Sequence, residues 1–303
     1  MSADFPDIVV LREVATRDGF QSLVPFIPTE RKVAVIRAAA AAGVGEIEAT
    51  SFVSPKVAPQ MQDAAEVLAA TMDAGIVRCA LAPNLIGAER AIAAGADKLA
   101  VFVSASEGHN RANVRQSVDE SLSGLEPVFE MAAKSKIPVA GAIAVCFGCP
   151  YEGEVPPSQV LGIMARFFSL GATEFILGDT TGMATPPRVE GMVKAVRGRF
   201  PGGRFSLHFH NNRGTAMTNV YAALGAGADT FDTALGGIGG CPTVPQATGN
   251  LATEDVVYLL DELGIQTGID LEAAIDAARL IEDILGTPLP GQLMKSGPRT
   301  PRN

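Results

Sequence analysis

The chain has 303 residues, of which 47% are hydrophobic and 19% are charged, and its formal net charge is −9 at pH 7. This composition provides for a large hydrophobic core and is unlike that of disordered chains. The acidic balance and the lack of a basic run leave no electrostatic footprint for nucleic acid or an anionic membrane, whereas a small anionic substrate needs only a local site.

Short apolar runs alternate with longer alanine-rich stretches along the chain, which predicts eight successive strand and helix pairs. The predicted strands are 8–14, 46–52, 77–82, 98–105, 139–145, 174–179, 205–211 and 230–236. The helices predicted to follow them are about 29–42, 60–72, 84–94, 115–135, 157–170, 186–199, 213–225 and 253–263, with an extra helix near 270–285.

Eight such pairs predict an α/β fold, a single-domain (β/α)8 TIM barrel over residues 1–290, followed by a flexible C-terminal tail at 291–303. Glycines that end the helices, as in AAAAAGVGEIE and AALGAGADTF, indicate short turns into the next strand. A doubly wound nucleotide-binding fold is less favoured. It needs G-x-G-x-x-G after an early strand, which REVATRDGFQ lacks, and GGIGGCP has the wrong spacing.

The N-terminal segment MSADFPDIVVLREV lacks the basic and apolar parts of a signal peptide, and no stretch approaches about 18 uninterrupted apolar residues. We therefore expect a cytoplasmic protein with neither membrane nor nucleic-acid partners. Four cysteines in a chain of this length do not form a disulfide framework, and a reducing compartment keeps them as thiols.

Two of the three histidines lie two positions apart at the end of the seventh predicted strand, in HFHNN (208–212). Side chains alternate along a strand, so His208 and His210 share one face. The carboxyl ends of the strands build the active site of a TIM barrel. Two imidazoles on an inward face there favour metal ligation over purely structural hydrogen bonding.

Acidic side chains lie at the ends of other predicted strands. Asp18 follows Arg17 in TRDG, which taken alone is an ordinary turn. Glu48 comes two residues after Glu46, and Asp179 ends the sixth predicted strand. Together these carboxylates predict an anionic ring around the mouth of the barrel, with the Arg17 cation facing a substrate anion or a developing enolate.

The cysteines differ in what their surroundings predict. Cys241 follows the glycine-rich GGIGG, which indicates a thiol on a mobile lid that can give or take a proton in a closed site. Cys79 lies within a predicted strand and is expected in the core. Cys146 and Cys149 form a single C-x-x-C pair, which favours packing over a redox or zinc site.

These residues resemble the 3-hydroxy-3-methylglutaryl-CoA lyase family, within the metal-dependent lyase and Claisen-condensing TIM barrels. The resemblance covers nearly the whole chain and rests on EVATRDGFQ (13–21), IEATSFVSPKVAPQM (47–61), GCPYEG (148–153), LGDTTG (177–182) and GGIGGCPTVPQATGNLATEDVVY (236–258). It implies that Asp18, His208 and His210 bind Mg²⁺ or Mn²⁺, with Asn250 as an additional ligand. It also implies an acyl-CoA substrate and a homo-oligomer, a dimer.

The resemblance implies roles for other residues as well. Arg17 would polarise the thioester carbonyl, and Glu13 would support Arg17. The other residues implied at the site are Glu48 and Asp179, which would orient it, Glu13 and Asn113, which would bind substrate, and Cys241, the lid thiol.

This site implies a retro-Claisen carbon–carbon lyase that cleaves 3-hydroxy-3-methylglutaryl-CoA into acetyl-CoA and acetoacetate. The metal would lower the pKa of the tertiary hydroxyl, whose deprotonation breaks the C2–C3 bond. Arg17 would stabilise the resulting acetyl-CoA enolate, and Cys241 would protonate it. Asp18 and a histidine are alternatives for the group that takes the first proton.

Two departures from the family bear on the substrate. Typical members continue the histidine strand as D-T-Y-G, whereas Asn211, Asn212, Arg213 and Gly214 follow here, and Ala142 aligns with a tyrosine. A related 3-hydroxyacyl-CoA, citramalyl-CoA or a longer C3-branched analogue, is therefore the alternative substrate. A condensing acyl-CoA synthase is less favoured, because isopropylmalate and citramalate synthases usually append a regulatory domain and lack the GGCP and GNLATED segment. A non-enzymatic binding barrel is the third alternative.

Overall fold

A computed structural model describes residues 5–240 and 249–299 of the chain. Eight parallel strands form a closed barrel in chain order, and β1 closes it by pairing with β8. The strands are Val10–Glu13 (β1), Glu46–Ser51 (β2), Val77–Leu81 (β3), Lys98–Ser104 (β4), Val139–Ala144 (β5), Glu174–Asp179 (β6), Phe205–Phe209 (β7) and Thr230–Thr233 (β8). The predicted (β/α)8 TIM barrel is confirmed.

Helices follow the strands and pack against the outside of the barrel. At Gly141 of β5, for example, a Cβ atom would lie 2.7 Å from the ring of Phe167, so the helix sits directly on the strand. The described helices are Thr29–Ala41 (α1), Ala64–Ala70 (α2), Leu85–Ala93 (α3), Glu107–Val114 (α4), Val118–Ser135 (α5), Pro157–Leu170 (α6), Pro186–Arg199 (α7), Ala216–Gly225 (α8), Thr253–Glu262 (α9), Leu271–Leu285 (α10) and Leu293–Ser296 (α11). None of these helices is both long and apolar enough to cross a bilayer.

Polar and apolar side chains alternate in layers inside the barrel. Charged residues occupy the amino-terminal end, where Glu46, Lys98 and Glu174 are the first residues of β2, β4 and β6. The next layer is apolar, and strand register places Ala142 between Phe102 and Ile176. The polar carboxyl-terminal end therefore lies above an apolar layer, as a site at the mouth of a TIM barrel requires.

The helix directly after β4 was absent from the sequence-based assignment. The segment after β4 forms α4 and α5, whereas a single helix over about 115–135 was predicted. Arg115 ends α4 in the left-handed region at φ 61°, and Ser117 then begins α5 with a capping box that includes Glu120. The S-x-x-E spacing of that capping box was the signal for a new helix start.

The C-terminal segment is packed in its described part, in the range from residue 291 for which a flexible tail was predicted. Leu293 and Met294 are buried in α11, and Arg279 of α10 donates a hydrogen bond to the carbonyl of Met294 at 2.9 Å. Asp255 accepts a hydrogen bond from the backbone N–H of Leu293 at 2.7 Å. The two buried apolar side chains are the physical reason that the segment docks.

Candidate metal centre and active site

Arg17 and Asp18 lie on a single π-helical turn, Ala15–Gly19, directly after β1. The carbonyl of Val14 accepts the backbone N–H of Asp18 at 2.8 Å and that of Gly19 at 3.3 Å. Isolated π-helical turns of this kind are frequent at functional sites. A Cβ atom at Gly19 would lie 2.6 Å from the side chain of Ile238, so only glycine lets the turn approach the segment after β8 without a shift.

Asp18, His208 and His210, here called the ligand group, converge at the carboxyl end of the barrel. The two Nε2 atoms are 3.0 Å apart. The Oδ2 atom of Asp18 lies 3.9 Å from Nε2 of His208 and 3.7 Å from Nε2 of His210. The expectation that both imidazoles face the mouth beside Asp18 agrees with this geometry.

These separations let one divalent cation contact all three residues. Two ligand atoms that each lie about 2.1 Å from the same ion are at most about 4.2 Å apart, and all three separations are below that limit. One potential donor atom from each residue lies within 4.8 Å of the other two, and both histidines are buried. Two imidazole nitrogens and a carboxylate, without a thiolate, suit a divalent ion of intermediate hardness.

The charge states of two members also suit a cation. Burial by itself would raise the pKa of Asp18, but Arg17 and the two histidines hold it well below its usual range, so the carboxylate is ionised. Burial and the neighbouring His208 lower the pKa of His210 to about 4, so this imidazole is neutral at pH 7. An ionised carboxylate and a neutral imidazole are the forms that bind metals.

Arg17 bridges two carboxylates and keeps one donor unused. Its Nη1 atom donates to Asp18 at 2.7 Å, and its Nη2 atom donates to Glu48 at 2.5 Å. Within the described residues, neither the buried Nε atom of Arg17 nor the buried Oε1 atom of Glu48 has a hydrogen-bond partner. The site therefore presents an N–H donor and a carboxylate oxygen beside the ligand group.

Glu13 was expected to support Arg17 and bind substrate, but in the described structure it forms no hydrogen bond or ion pair with Arg17. It is fully buried, and its carboxylate accepts hydrogen bonds from Ala15 N at 2.7 Å, Leu235 N at 3.1 Å and Thr253 Oγ1 at 2.7 Å. A substrate cannot reach a side chain enclosed in this way. Glu13 instead joins the start of the π-helical turn to the chain after β8.

Asp179 and Asn113 lie outside the ligand group. The Oδ1 atom of Asp179 accepts hydrogen bonds from Met183 N at 2.7 Å and Ala184 N at 3.0 Å, which fixes the turn after β6. Burial raises the pKa of Asp179 to about 7, although these two hydrogen bonds act against the rise. Asn113 is exposed on α4, so the structure supplies no contact for its predicted substrate role.

Asn250 lies against the ligand group, and its amide nitrogen is 2.8 Å from Oδ2 of Asp18. Its backbone pairs with His210 in an isolated bridge. A Cβ atom at Gly239, whose φ is +123°, would lie 2.4 Å from the Asn250 amide and 3.3 Å from Gly19. The residues on both sides of the gap at 241–248 therefore lie close to Asp18. Cys241 lies outside the described residues, between these two flanks.

The remaining cysteines are buried, as a packing role requires. Cys146 donates to the carbonyl of Ile143 at 3.0 Å, and Cys149 accepts a hydrogen bond from Ser106 at 2.9 Å. Burial raises the pKa of the Cys146 thiol. A thiol with a raised pKa is a poor nucleophile and a poor metal ligand.

The residues that depart from the family pattern have two kinds of surroundings. Some form hydrogen bonds to the backbone, and one faces the barrel interior. Arg213 is exposed and donates to the carbonyls of Thr181 at 2.6 Å and Gly182 at 3.1 Å, and Asn211 accepts from Ala216 N at 3.2 Å. These two side chains therefore hold the backbone of neighbouring loops. Ala142 does face the barrel interior.

Two charged residues of the site were absent from the sequence-based prediction. Asp232 in β8 lies 3.3 Å from Nδ1 of His208, and Arg12 in β1 donates two hydrogen bonds to the same carboxylate. The sequence signal for both residues was a charged side chain on the face of a strand that points into the barrel. Arg12 and Asp232 lie side by side in the register of β1 and β8.

Comparisons with known proteins agree with this geometry. The HMGL-like family profile matches residues 9–281. A hydroxymethylglutaryl-CoA lyase of Bacillus subtilis is 42% identical over 289 residues, which cover 95% of this chain and 97% of that protein. A 3-hydroxy-3-isohexenylglutaryl-CoA/hydroxymethylglutaryl-CoA lyase of Pseudomonas aeruginosa is 41% identical over 284 residues, with coverage of 93% and 95%.

A solved structure with the same fold is that of a 3-hydroxy-3-methylglutaryl-CoA lyase from Acinetobacter baumannii, in complex with coenzyme A and 3-methylmalate. Its TM-score is 0.93 at 41% identity, and the match covers 98% of this chain and 97% of that chain. The agreement thus extends over the whole barrel and the segments that carry the ligand group. The chain belongs to the HMGL-like family.

Proposed function

We propose that this protein is a carbon–carbon lyase that cleaves 3-hydroxy-3-methylglutaryl-CoA to acetyl-CoA and acetoacetate. The observation that carries the proposal is the ligand group beside Arg17, whose Nε donor has no partner among the described residues. The names of the relatives from B. subtilis and P. aeruginosa, both of which match this chain nearly end to end, support the same reaction.

A divalent metal fits the site, and we propose Mg²⁺ or Mn²⁺. Asp18, His208 and His210 would hold it. The amide oxygen of Asn250 would be an additional ligand if its side-chain amide were flipped by 180°. Such an ion supplies Lewis acidity, which lowers the pKa of an alcohol oxygen bound to it. The rest of the chemistry falls to the side chains around the ligand group.

Arg17 and Glu48 are proposed to act on different atoms of the substrate, the thioester oxygen and the proton of the C3 hydroxyl. Loss of the C3 hydroxyl proton forms the ketone of acetoacetate, and the electrons of the broken C2–C3 bond pass to the thioester as an enolate. Arg17 would donate its free N–H to that enolate oxygen, where negative charge develops. The Oε1 atom of Glu48, free of partners in the described structure, is a further candidate for accepting the hydroxyl proton, besides Asp18 and a histidine.

Cys241 is proposed to protonate the enolate carbon, since both flanks of its segment lie beside Asp18. Cys241→Ser should lower kcat, because a hydroxyl is a much weaker acid than a thiol, while Mn²⁺ affinity should stay nearly unchanged. Steady-state kinetics and calorimetric Mn²⁺ titration measure the two effects. Cys149→Ala is the matched control. An equal fall in kcat in that variant would assign the role to the buried pair of Cys146 and Cys149 instead.

The apolar layer below the ligand group bears on the choice of substrate. Ala142 lies between Phe102 and Ile176, and all three side chains are partly accessible, so the pocket has space near the position of the aligned tyrosine. A C3 substituent longer than methyl fits this space. The name of the P. aeruginosa relative includes a substrate of that kind.

A substrate panel tests the proposed function. Cleavage of 3-hydroxy-3-methylglutaryl-CoA, a longer C3-branched analogue and citramalyl-CoA should be compared by kcat/KM, with acetyl-CoA and the keto acid identified as products. One methylene changes discrimination by about 1–3 kcal/mol, so a preference above about a hundredfold for either alternative would replace the first substrate. Ala142→Tyr should reduce activity on the longer analogue more than on the methyl compound.

Two expectations about the protein in the cell are also proposals. We propose that the protein acts on an acyl-CoA in the cytoplasm, since its acidic chain without a basic run offers no electrostatic footprint for an anionic membrane. Sedimentation analysis of the purified protein tests the homodimer that the family resemblance implies. A monomer at micromolar concentration would contradict the homodimer and leave the reaction untouched.

A further inference from the structure

A layer of buried charges connects the amino-terminal end of the barrel with the ligand group. It consists of Arg12, Glu46, Lys98, Glu174 and Asp232, and is called the ionic layer below. Lys98 donates to both oxygens of Glu46, at 2.8 and 2.9 Å. Arg12 donates to Glu174 at 2.6 Å and, from the opposite side of its guanidinium, to Asp232. Lys98 also forms an ion pair with Glu174, so Arg12 and Lys98 together connect all five residues of the ionic layer.

Arg12 fixes the orientation of the Asp232 carboxylate. Its Nε and Nη2 atoms both donate to Oδ1 of Asp232, at 2.8 and 2.7 Å. The other oxygen, Oδ2, lies 3.3 Å from Nδ1 of His208. Asp232 is therefore the member of the ionic layer that contacts a residue of the ligand group.

The two histidines differ in what holds them. His208 has Asp232 at Nδ1, while the buried Nδ1 atom of His210 has no hydrogen-bond partner among the described residues. A carboxylate oxygen only accepts hydrogen bonds, so the contact requires a proton on Nδ1 of His208. In the neutral imidazole, the lone pair of His208 then lies on Nε2, the nitrogen that faces His210 and Asp18.

We propose that Asp232 is a positioning residue that keeps the proton of His208 on Nδ1 and its Nε2 lone pair toward the metal, and that Arg12 keeps Asp232 in place for this. The inference rests on the metal site of the proposed function. It also assigns the tautomers of the metal-free protein: at the 3.0 Å contact between the Nε2 atoms, His210 is the donor and His208 the acceptor. Partners of this kind commonly change metal affinity 10- to 100-fold.

The Asp232→Asn variant tests this proposal, because the Asn side chain has nearly the same shape as Asp. The two Arg12 donors require an acceptor at the Oδ1 position, so the amide oxygen of the new side chain has to face Arg12. Its NH₂ group then faces Nδ1 of His208, which has to become an acceptor. The proton of His208 moves to Nε2 and points into the ligand group, where it opposes a cation.

Glu174→Gln is the matched control. It removes one carboxylate charge from the same ionic layer and from the same arginine, but Glu174 does not contact His208. The Gln amide oxygen can still accept from Arg12 and Lys98. Both variants lose a buried negative charge, and only Asp232→Asn changes the group that faces the imidazole.

Nitrogen NMR of histidine-labelled protein reads the tautomers directly, because the chain has only three histidines. In metal-free wild type at mildly alkaline pH, His208 should carry its proton on Nδ1 and His210 on Nε2. In Asp232→Asn the His208 proton should move to Nε2, while Glu174→Gln keeps the wild-type pattern. A wild-type His208 without a proton on Nδ1 overturns the inference without any variant.

Calorimetric titration with Mn²⁺ gives the second readout. Asp232→Asn should bind Mn²⁺ about 10- to 100-fold more weakly than wild type, and Glu174→Gln should bind it within about threefold of wild type. Equal weakening in both variants would mean that the charge of the ionic layer, and not the tautomer, sets affinity, and would overturn the proposal. Wild-type protein that neither binds Mn²⁺ nor cleaves substrate would refute the proposed function instead, while the metal-free tautomer measurement still stands.

Discussion

Chelation of the bound divalent metal should abolish cleavage of 3-hydroxy-3-methylglutaryl-CoA, and Mg²⁺ or Mn²⁺ should restore it. The reason is that two imidazole nitrogens and one carboxylate oxygen converge within 4.8 Å beside the free donor of Arg17. Without an ion, the alcohol of the substrate keeps its ordinary high pKa and the C2–C3 bond stays intact. Release of acetyl-CoA by metal-free and reloaded protein is the measurement.

Thermal unfolding gives a readout of the same site that does not depend on turnover. A ligand present at 100 times its Kd stabilises the folded state by about 2.7 kcal/mol, so reloading with Mn²⁺ should raise the Tm of wild type. Sodium borohydride should leave activity unchanged, since no lysine imine is needed. Undiminished cleavage by protein verified as metal-free would contradict the mechanism.

Arg17→Gln should lower kcat far more than it changes KM. Its charge is needed mainly where the enolate forms, and the loss of one donor to such an oxyanion costs on the order of 10²–10³ in rate. Arg17 also holds Asp18 and Glu48 through two separate nitrogens, so Arg17→Lys, with a single ammonium, should recover little of the lost rate. Steady-state kinetics under saturating metal measure both parameters.

Arg213→Gln is the control for Arg17→Gln. Arg213 is also an arginine near the carboxyl end of the barrel, but its guanidinium is exposed and donates to backbone carbonyls of the loop after β6. We expect it to keep kcat within about threefold of wild type. A raised KM with unchanged kcat in Arg17→Gln would restrict Arg17 to substrate binding.

Local patterns were sufficient to predict the barrel and its ligand group. Eight alternating strand and helix signals define a TIM barrel, because closure of the sheet brings all carboxyl ends of its strands to one face. His208 and His210 could be placed on that face from the two-residue period of β7 alone. Asp18 was identifiable because it lies in the turn that follows β1.

Contacts across the barrel were not predictable in the same way. Arg12 and Asp232 are 220 positions apart, and nothing in either strand names the other as a partner. The same holds for Glu13, whose partners Leu235 and Thr253 are 222 and 240 positions away in the sequence. The family resemblance therefore placed Glu13 at the substrate, whereas burial places it inside the wall.

Substitutions in family motifs were ambiguous for another reason. Asn211 and Arg213 differ from the usual residues beside the histidines, and sequence comparison cannot separate a pocket residue from one that holds the backbone. Their hydrogen bonds to Ala216, Thr181 and Gly182 resolve this in favour of the backbone. Ala142 differs because strand register directs it inward.

The carboxylate of Glu13, which joins the end of β1 to the chain after β8, has a consequence for protein synthesis. A ribosome adds Asp18 early, but the two histidines follow only after β6 has been made, and the partners of Glu13 lie 222 and 240 positions beyond it. Until then, the first strand lacks β8, the neighbour that closes the sheet, and Glu13 lacks Leu235 and Thr253. Nascent chains of this protein should therefore remain inactive, and exposed to chaperones and proteases, until β8 and the segment up to Thr253 have been synthesised.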